Sequence, residues 1–584
     1  MPFSIAQVTP WPWEHHHEVN RFVERLSDEL CHRGHRVVVV APSDSRELVR
    51  EGRETVRALE RDPDAMFAEP GCAGLLAVGQ SLPFRRAGSV SLPLDVSRTL
   101  EDLLERAELD FVHVHEPFAP SASSAALRHS RALNVGTFHS TTERFVSTQV
   151  ARPLVELLFG RLDGRTASFA ATCELIRRYF PGDYKVIHPG ADLVHRPDAD
   201  QGDGLGIVFS AEEERGAMRL FLRALRKLPG DADWHATIWM RDPAAAPAVT
   251  LPRRLRDRVR LVGPADGSEA QHLAGARIAV AASNGAKPAP QLVLRAIAGG
   301  AVPVVSRLPE YEEALQEGEL GLLFEPRDSE TLSAQLSRLV ADPELLARFE
   351  SRIEDAHPQI EWSRVADEYE QLYDEIASRR HSVDGRSAIR KRLTQRDFIH
   401  VDLHMHTDHS PDCATPVDTL LETAKKVGLG AIAITDHNEI SGAHEARERA
   451  EGIKVIVSEE VKTADQGEVI GLFIEEKIQR GMTLQETIAE IRRQGGLVYM
   501  PHPFDRMHSV PDYEHLLDVV EDIDAIEVFN PRVAISAFND EAARFAAKYR
   551  IAAGAGSDSH VAQGLGSVKI RMRDFDGAEE FLEA

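Results

Sequence analysis

The sequence predicts an α/β protein of three compact units, and three observations support this fold class. The chain has 584 residues, too many for one hydrophobic core, so units of roughly 150 to 200 residues each are expected. Through the first two thirds of the chain, short apolar runs alternate with segments of helical periodicity. In the last third, several apolar runs end in histidine or aspartate. Both patterns are typical of parallel β-sheets, whose chemistry gathers at the carboxyl ends of the strands.

The composition narrows the class of protein. Hydrophobic residues make up 43% of the chain and charged residues 28%, as in a soluble globular protein. The formal net charge of −25 argues against nucleic acid as a partner, because phosphate backbones are bound by clustered lysine and arginine. The four scattered cysteines argue against a disulfide framework and a thiolate zinc site. Without a signal-like segment or an apolar run of about 18 residues, we expect a cytoplasmic protein; peripheral membrane contact stays open but is not indicated.

The first unit is expected over residues 1–195. Residues 3–8 and 37–40 have the apolar pattern of buried strands, and the segment between them carries apolar side chains on one helical face. These segments form a β-α-β unit. The remaining strands of the unit are expected at residues 111–115, 135–138 and 185–188. We interpret residues 1–195 as a Rossmann-like domain with a parallel sheet.

A second Rossmann-like unit is expected over residues 196–376. Its strands are predicted at residues 206–210, 234–239, 260–262, 278–281 and 302–305, and its last helix at 362–376. Two successive domains of this kind predict a cleft between them. Residues 377–398 then form a linker with some helix. Its arginine- and lysine-rich part is most simply a solvated surface, and contact with an anionic substrate or membrane is the alternative.

The strongest chemical signal lies between residues 399 and 584, the third predicted unit. His404 and His406 are two residues apart, so in an extended segment their side chains project together. His437 and His502 each follow an apolar strand, and Asp558 and His560 follow a further one. If the sheet is parallel, these strand ends converge on one rim. Carboxylates among imidazoles suit Mn, Zn, Fe or Mg, so the sequence predicts a metal centre.

Four motifs in this third unit resemble those of the PHP (polymerase and histidinol phosphatase) superfamily. They are D-L-H-M-H-T at 402–407, T-D-H-N at 435–438, M-P-H-P-F-D at 500–505 and G-S-D-S-H at 556–560. The resemblance implies a distorted (β/α)7 barrel with two or three divalent ions at its carboxyl rim. It also implies a hydrolase, namely a metal-dependent phosphoesterase acting on a small phosphorylated substrate.

Position by position, the resemblance implies a set of metal ligands. One ion is bound by His404, His406, Glu460 and Asp558, which are also the residues expected to carry catalysis. Glu460 bridges to a second ion, which His502 binds. Asp412, His437 and His560 hold the third ion. The chain departs from the family at two positions. Pro411 stands where many members have His or Asp, so Asp412 serves only through a longer loop, and Glu468 replaces a frequent histidine as an oxygen ligand.

The expected reaction is attack on phosphorus by a hydroxide that bridges two ions, which also neutralise charge on the phosphoryl oxygens. Arg506 and Arg532 are candidates for binding the phosphate or its leaving group, with ordinary surface arginines as the alternative. The role of His508 is left open.

The segments 110–121 and 136–141 resemble the amino-terminal domain of retaining GT-B glycosyltransferases, above all the phosphatidylinositol mannosyltransferases, and residues 186–192 resemble the segment that enters their second domain. The likeness extends over nearly all of residues 1–376. It implies a GT-B pair of Rossmann-like domains. It also implies that His139 occupies the position of a histidine that lies in the cleft near the reacting sugar.

The donor-binding motifs of that family are altered here. The family places Gly-Arg and then Lys-Gly after the first strand of the second domain, whereas this chain has Ser-Ala-Glu-Glu-Glu-Arg-Gly at 210–216, with Arg215 as its cation. Lys287 and Arg295 stand where the family has two glutamates that bind the donor sugar and the ribose. Each lost charged hydrogen bond costs on the order of 2 to 3 kcal/mol. A standard nucleotide-sugar donor is therefore expected to bind poorly.

Three functions remain open from the sequence. The first is a phosphoesterase for a monoester, of a sugar, inositol or nucleotide, fused to a degenerate glycosyltransferase-like module. The second is a bifunctional glycosyltransferase and phosphatase in glycoconjugate synthesis, which would bind a nucleotide sugar. The third is a regulatory pseudo-enzyme that binds an anionic sugar ligand through Lys287 and Arg295.

Overall fold

A computed structural model describes the chain in residues 2–84, 88–91, 93–119, 122–139, 160–195, 204–242, 251–382, 386–464, 466–506, 510–511 and 513–584. The chain divides into two compact units. One comprises Met1–Ser130 and Asn134–Tyr373, and the other comprises Asp374–Ala584 with the short segment Arg131–Leu133. In the part of the chain that the structure describes, no helix is long and apolar enough to cross a membrane.

The first unit contains two sheets. The strands of the first sheet are β1 (Ser4–Val8), β2 (Arg36–Ser43), β3 (Gly74–Phe84), β4 (Gly88–Ser91), β5 (Phe111–His115), β6 (Leu133–Phe138), β7 (Gly164–Ala167) and β8 (Lys185–Val186). Their order across the sheet is β4-β3-β2-β1-β5-β6-β7-β8, and β1 pairs in parallel with both β2 and β5. The strand order therefore reverses at β1, as in doubly wound folds.

The second sheet of the first unit is parallel at every pair. Its strands are β9 (Leu205–Ser210), β10 (Trp234–Trp239), β11 (Val259–Val262), β12 (Ile278–Ala281), β13 (Val302–Ser306) and β14 (Leu322–Phe324). Their order is β11-β10-β9-β12-β13-β14, so the reversal falls between β9 and β12. Both sheets thus have the Rossmann-like character predicted from the alternating pattern.

Helices accompany both sheets of the first unit. They are α1 (Glu18–His32), α2 (Arg46–Ala58), α3 (Pro93–Arg106), α4 (Ala122–His129), α5 (Ala170–Arg177), α6 (Arg215–Leu225), α7 (Glu269–Ala274), α8 (Pro290–Ala298), α9 (Pro309–Ala314), α10 (Ser329–Ala341), α11 (Pro343–Ile360) and α12 (Trp362–Ala377). Helix α12 returns to the first sheet, where the hydroxyl groups of Tyr369 and Tyr373 contact Thr137 and His113. The apolar face predicted for α1 is buried, with Phe22, Val23 and Leu26 fully enclosed.

The second unit is built on one mixed sheet. Its strands are β15 (Phe398–Asp402), β16 (Ala431–Ile434), β17 (Lys454–Lys462), β18 (Glu468–Leu472), β19 (Leu497–Met500), β20 (Ala525–Phe529), β21 (Ala552–Ala555) and β22 (Ile570–Arg573). They are ordered β21-β20-β19-β18-β17-β16-β15-β22. The pairings give β15, β16, β17, β19, β20 and β21 a common direction, with β18 and β22 reversed.

Backbone hydrogen bonds join the two ends of this sheet into a nearly closed barrel. Leu403 N donates to Ala555 O at 3.3 Å, and Asp558 N donates to His404 O at 2.8 Å. The segments that follow β15 and β21 are thereby neighbours, which completes a ring of seven strands, β15 to β21. The distorted seven-stranded barrel implied by the family resemblance is confirmed, and the six strands that share a direction end on one rim.

The helices of the second unit are α13 (Ser387–Leu393), α14 (Val417–Lys426), α15 (Ser441–Arg449), α16 (Leu484–Arg493), α17 (Tyr513–Asp518), α18 (Ser536–Tyr549) and α19 (Gly577–Glu583). Helix α13 lies in the basic segment that was interpreted as a solvated surface. Its arginines are exposed, but Arg390 and Arg392 form ion pairs with Glu583 and Glu580 of α19 at 2.6 and 3.0 Å. The positive charge of this segment is therefore largely matched within the unit.

Candidate metal centre

The candidate ligands follow four barrel strands, lie near the end of a fifth, β17, or begin the reversed strand β18. β15 ends at Asp402, sooner than the extended segment expected through residue 406, but Met405 still bridges to Ser559 and keeps His404 and His406 on the same side. His437 follows β16, His502 follows β19, and Asp558 and His560 follow β21. Glu460 lies near the end of β17 and is buried. The convergence expected at a parallel rim is therefore present.

The structure brings all nine predicted ligands together in overlapping groups. In each group, one nitrogen or oxygen atom per residue lies within 4.8 Å of those of the others. The groups are His404, His406 and Asp558; His404, Glu460 and His502; His406, Asp412, His437 and His560; and His437, Glu460 and Glu468. Because His404, His406, His437 and Glu460 each belong to two groups, the four groups form one continuous cluster.

The separations within the cluster are those of side chains that face a shared centre. Glu460 Oε2 lies 3.2 Å from His404 Nε2 and 3.3 Å from His437 Nδ1. Glu460 Oε1 lies 3.5 Å from His502 Nε2. Asp558 Oδ1 lies 3.3 Å from His406 Nε2. Glu460 thus sits between three imidazoles, as expected for a carboxylate that bridges two ions.

Burial and charge set the protonation of the cluster. Burial acts to raise the pKa of Glu460, but the charge of His404 and the hydrogen bond from His404 hold that pKa well below its ordinary value. Burial lowers the pKa of His406 to about 4, despite the neighbouring carboxylates. His406 is therefore neutral at pH 7, which is the form of imidazole that binds a metal.

The donor set fits divalent ions. Both ring nitrogens of His406 and the Oε1 atom of Glu460 are buried and make no hydrogen bond among the described residues. Buried polar atoms without partners are costly, and a cation beside them would give a partner to one ring nitrogen of His406 and to Glu460 Oε1. Imidazole nitrogens and carboxylate oxygens, without thiolate, are the ligands of Mn, Fe, Zn and Mg.

The third group is more open to solvent than the other groups. Asp412 Oδ2 lies 3.0 Å from His560 Nε2 and 3.3 Å from His437 Nε2. The loop through Pro411 is therefore long enough for Asp412 to reach the cluster, the condition under which it was predicted to act. Glu468 lies at the edge, with Oε1 at 3.9 Å from His437 Nδ1.

The two candidate substrate arginines differ in placement. Arg532 Nη1 donates to Asp558 O at 3.0 Å and contacts the ring of His560, while nearly half of its side chain stays exposed. Arg506 is exposed and makes no ion pair or hydrogen bond with the cluster among the described residues. His508 lies outside the described residues. Arg532 is thus the arginine placed beside the cluster.

Sequence reasoning missed the residues that support the ligands. Glu527, on β20, is fully buried and accepts a hydrogen bond from His404 Nδ1 at 3.1 Å. Gly556 leaves room for this contact, because a Cβ there would lie 2.2 Å from His404 Cβ and 2.6 Å from Glu527 Oε1. Asp436 accepts from the Thr407 backbone at 2.6 Å. An acidic residue inside an apolar strand was the signal that could have identified Glu527.

The cleft of the first unit carries charges that satisfy one another. The guanidinium of Arg295 donates to Glu18 at 3.0 Å, to Glu212 at 2.6 Å and to Glu269 at 3.0 Å. The Arg295 side chain is 13% exposed. Although burial opposes the charge, these carboxylates raise the pKa of Arg295 above its ordinary value. Glu18 begins α1 and the other two carboxylates follow strands of the second sheet, so the network joins the two Rossmann-like domains.

Two further carboxylates fill the point where the strand order of the second sheet reverses. Glu213 accepts from the backbone N–H groups of Ala282 and Ser283 at 2.6 and 2.9 Å. Glu214 accepts from Asn284 N at 2.7 Å. These N–H groups follow β12, beside β9, where open α/β sheets bind their ligands. The donors that a diphosphate would use in such a crevice are therefore occupied by the protein itself.

The other residues predicted for the altered sugar-nucleotide site are either exposed or bonded within the protein. Lys287 is exposed and donates to the backbone carbonyl of Glu212, while Arg215 is exposed at the start of α6. His139 Nε2 hydrogen-bonds His115 at 2.9 Å and His139 Nδ1 hydrogen-bonds Ser168 at 2.8 Å. Burial lowers the pKa of His139 to about 3. Both ring nitrogens of His139 thus have partners within the protein.

The fold and the clusters define a two-part protein, in which a GT-B-type pair of Rossmann-like domains precedes a barrel with a candidate metal centre. Three family models match it: Glycosyltransferase Family 4 over residues 19–195, Glycosyl transferases group 1 over 204–342 and PHP domain over 402–561. The carboxyl-terminal domain is therefore a PHP domain, and it follows a glycosyltransferase-like region.

Similar proteins match parts of the chain. A phosphatidyl-myo-inositol mannosyltransferase of Mycolicibacterium smegmatis is 24% identical over 405 residues, which cover 64% of this chain and 94% of that relative. An uncharacterised protein of Methanocaldococcus jannaschii is 38% identical over 141 residues, covering 22% of this chain and 80% of its own length. The solved structure of sucrose-phosphate synthase from Thermosynechococcus elongatus matches 64% of this chain and 99% of that chain, with 17% identity and a TM-score of 0.48.

Proposed function

We propose that the second unit is a metal-dependent phosphoesterase that hydrolyses a small phosphate monoester. The observation that carries this proposal is the cluster of nine imidazoles and carboxylates on one rim of the barrel. His404, His406, Glu460, His502 and Asp558 would hold two ions, and Asp412, His437 and His560 would hold a third. When bound, such ions supply an activated water at neutral pH and neutralise charge on a phosphoryl group.

The protein side chains supply the remaining parts of the site. Arg532 is fixed through the Asp558 carbonyl and the His560 ring, so its exposed portion can bind a phosphoryl oxygen or the leaving group at the cluster. The neutral ring of His406 and the ionised carboxylate of Glu460 are in the protonation states that ligands need. No protein nucleophile is required by this arrangement.

The test is hydrolysis of an aryl phosphate and a panel of sugar, inositol and nucleotide monophosphates by the full chain. The protein is stripped with a chelator, assayed, and then reloaded with Mn²⁺ or Zn²⁺. We expect activity only in the reloaded protein, because the carboxylates and imidazoles alone offer no activated water. Two or three bound ions without hydrolysis of any ester in the panel would contradict the proposal and favour a binding module.

For the first unit, we infer that the glycosyltransferase-like site is degenerate and does not hold a nucleotide sugar. Arg295 is saturated by three carboxylates, and Glu213 and Glu214 occupy the N–H groups beside the strand reversal. A diphosphate would have to displace these carboxylates while approaching other negative charges. The same saturation of Arg295 disfavours the alternative in which it binds an anionic sugar ligand. A scaffold or substrate-selecting role is consistent with these contacts.

Calorimetric titration of the full chain with UDP-, GDP- and ADP-sugars tests this inference. We expect a Kd weaker than about 1 mM for each of them, equivalent to less than about 4 kcal/mol of binding free energy. Micromolar binding of any of these ligands would support the bifunctional alternative, in which the first unit still transfers a sugar.

A further inference from the structure

The carboxylate of Glu527 lies at the centre of the contacts behind the metal cluster. Its Oε1 atom accepts from His404 Nδ1 at 3.1 Å, with the Tyr499 hydroxyl at 3.4 Å. Its Oε2 atom accepts from the backbone N–H of His502 at 2.9 Å and from Asn530 Nδ2 at 3.0 Å. Glu527 is 1% exposed, so these contacts are made without competing solvent. A single buried side chain thus reaches two of the candidate ligands directly.

The contact with His404 decides which ring nitrogen faces the cluster. A carboxylate accepts hydrogen bonds, so His404 Nδ1 carries the proton and donates it to Glu527. The nitrogen left to bind an ion is then Nε2, which faces Glu460 Oε2 and Asp558 Oδ1 at 3.2 and 3.7 Å. Carboxylates behind histidine ligands fix the ring in this way and raise its basicity toward the ion.

The other oxygen of Glu527 supports two ligands whose backbone is strained. His502 has φ 26° and Asp558 has φ 48°, both in the left-handed region that non-glycine residues rarely adopt. Such conformations persist only when the surroundings hold them. Glu527 holds His502 through its N–H group, and Asn530 extends the contact by donating to Asp558 Oδ2 at 3.3 Å.

We propose that Glu527 is the positioning residue that holds His404, His502 and, through Asn530, Asp558 as one unit, so that the two ion positions that share Glu460 fill together. The proposal rests on the proposed metal centre. The group of Asp412, His437 and His560 has no contact with Glu527 among the described residues, so its ion is expected to depend less on Glu527. Glu527 itself need not touch the ions or the substrate.

Glu527→Gln is the sharpest variant because it keeps the size of the side chain. A carboxylate accepts at both oxygens, whereas an amide has only one acceptor and presents an NH₂ group on its other side. Gln at this position can therefore serve either His404 or the His502 and Asn530 pair, but not both. Glu521→Gln is the matched control, since Glu521 is exposed and lies six residues earlier in the chain.

The experiment is titration of the stripped full-length protein with Co²⁺ alone, in competition with a chelator, followed by visible absorption. We expect wild type and Glu521→Gln to bind two or three ions. Glu527→Gln is expected to bind about 10- to 100-fold more weakly at two of these positions, the range for loss of a group behind a ligand, with an altered absorption band. Circular dichroism of each variant shows whether it is folded.

Each result separates the two proposals. Wild-type protein that binds no Co²⁺ would overturn the proposed function, whereas wild-type affinity and absorption in Glu527→Gln would overturn only the role of Glu527. If Glu527→Gln does not fold, Asn530→Ala takes its place. That variant removes only the link to Asp558, and we expect a smaller loss of affinity; unchanged Co²⁺ binding in Asn530→Ala would then overturn the proposal.

Discussion

His404→Ala is expected to lower phosphoesterase activity about a thousandfold and to reduce the number of bound ions. His404 belongs to two of the four ligand groups, so its loss removes a nitrogen ligand from one ion and a close neighbour of Glu460 and His502, which would hold the second. Ions contribute several kcal/mol to phosphoryl transfer, and each 1.36 kcal/mol corresponds to a factor of about ten in rate. Activity on the best ester of the panel and metal analysis of the same sample measure both effects.

His400→Ala is the matched control for this prediction. His400 lies on β15, four residues before His404, and its side chain is exposed. The same imidazole is deleted from the strand that leads to His404, so activity and ion content are expected to stay at wild-type levels. A His404→Ala protein that keeps its ions and its activity would show that the cluster is not the site of hydrolysis.

The ligand cluster was largely predictable because barrel geometry converts sequence position into spatial position. When strands run in parallel, every residue just past a strand end reaches the same rim, so His437, His502 and Asp558 could be grouped without coordinates. Asp412 was less certain, because a loop rather than a strand places it. The family resemblance supplied Glu460 and Glu468, which periodicity alone does not distinguish from other acidic residues of strands.

The parts that were not predictable depend on contacts between distant segments. The strand β7 and the long strand β3 were missed, since Gly164–Ala167 is short and Gly74–Phe84 lacks a clear apolar alternation. The partners of Arg295 could not be predicted either. Glu18, Glu212 and Glu269 come from separate segments, and they meet only because two domains pack together. Sequence comparison identified Arg295 as altered, but only the structure shows what replaced the lost ligand contacts.

Arg295→Ala is expected to destabilise the first unit by about 3 kcal/mol, toward the lower end for a broken buried ion pair. The change leaves three carboxylates facing one another without a cation. The loss is not larger because Glu18 is one-third exposed and can regain water. All five tryptophans lie within residues 1–376, so tryptophan fluorescence during urea unfolding of the full chain reports on this unit.

Arg277→Ala is the comparison that separates the effect of burial on stability from the effect of charge. Arg277 also pairs with a glutamate, Glu350 at 2.6 Å, but its side chain is 38% exposed, so its loss should cost no more than about 1 kcal/mol. Equal losses in the two variants would mean that the Arg295 network does not bind the two domains together. If Arg295→Ala loses much stability but gains no nucleotide-sugar binding, the result would support the view that the ion network has replaced the donor site. No gain in binding is expected, because Glu213 and Glu214 still occupy the crevice. The ion network would then hold the two domains together in place of the missing donor.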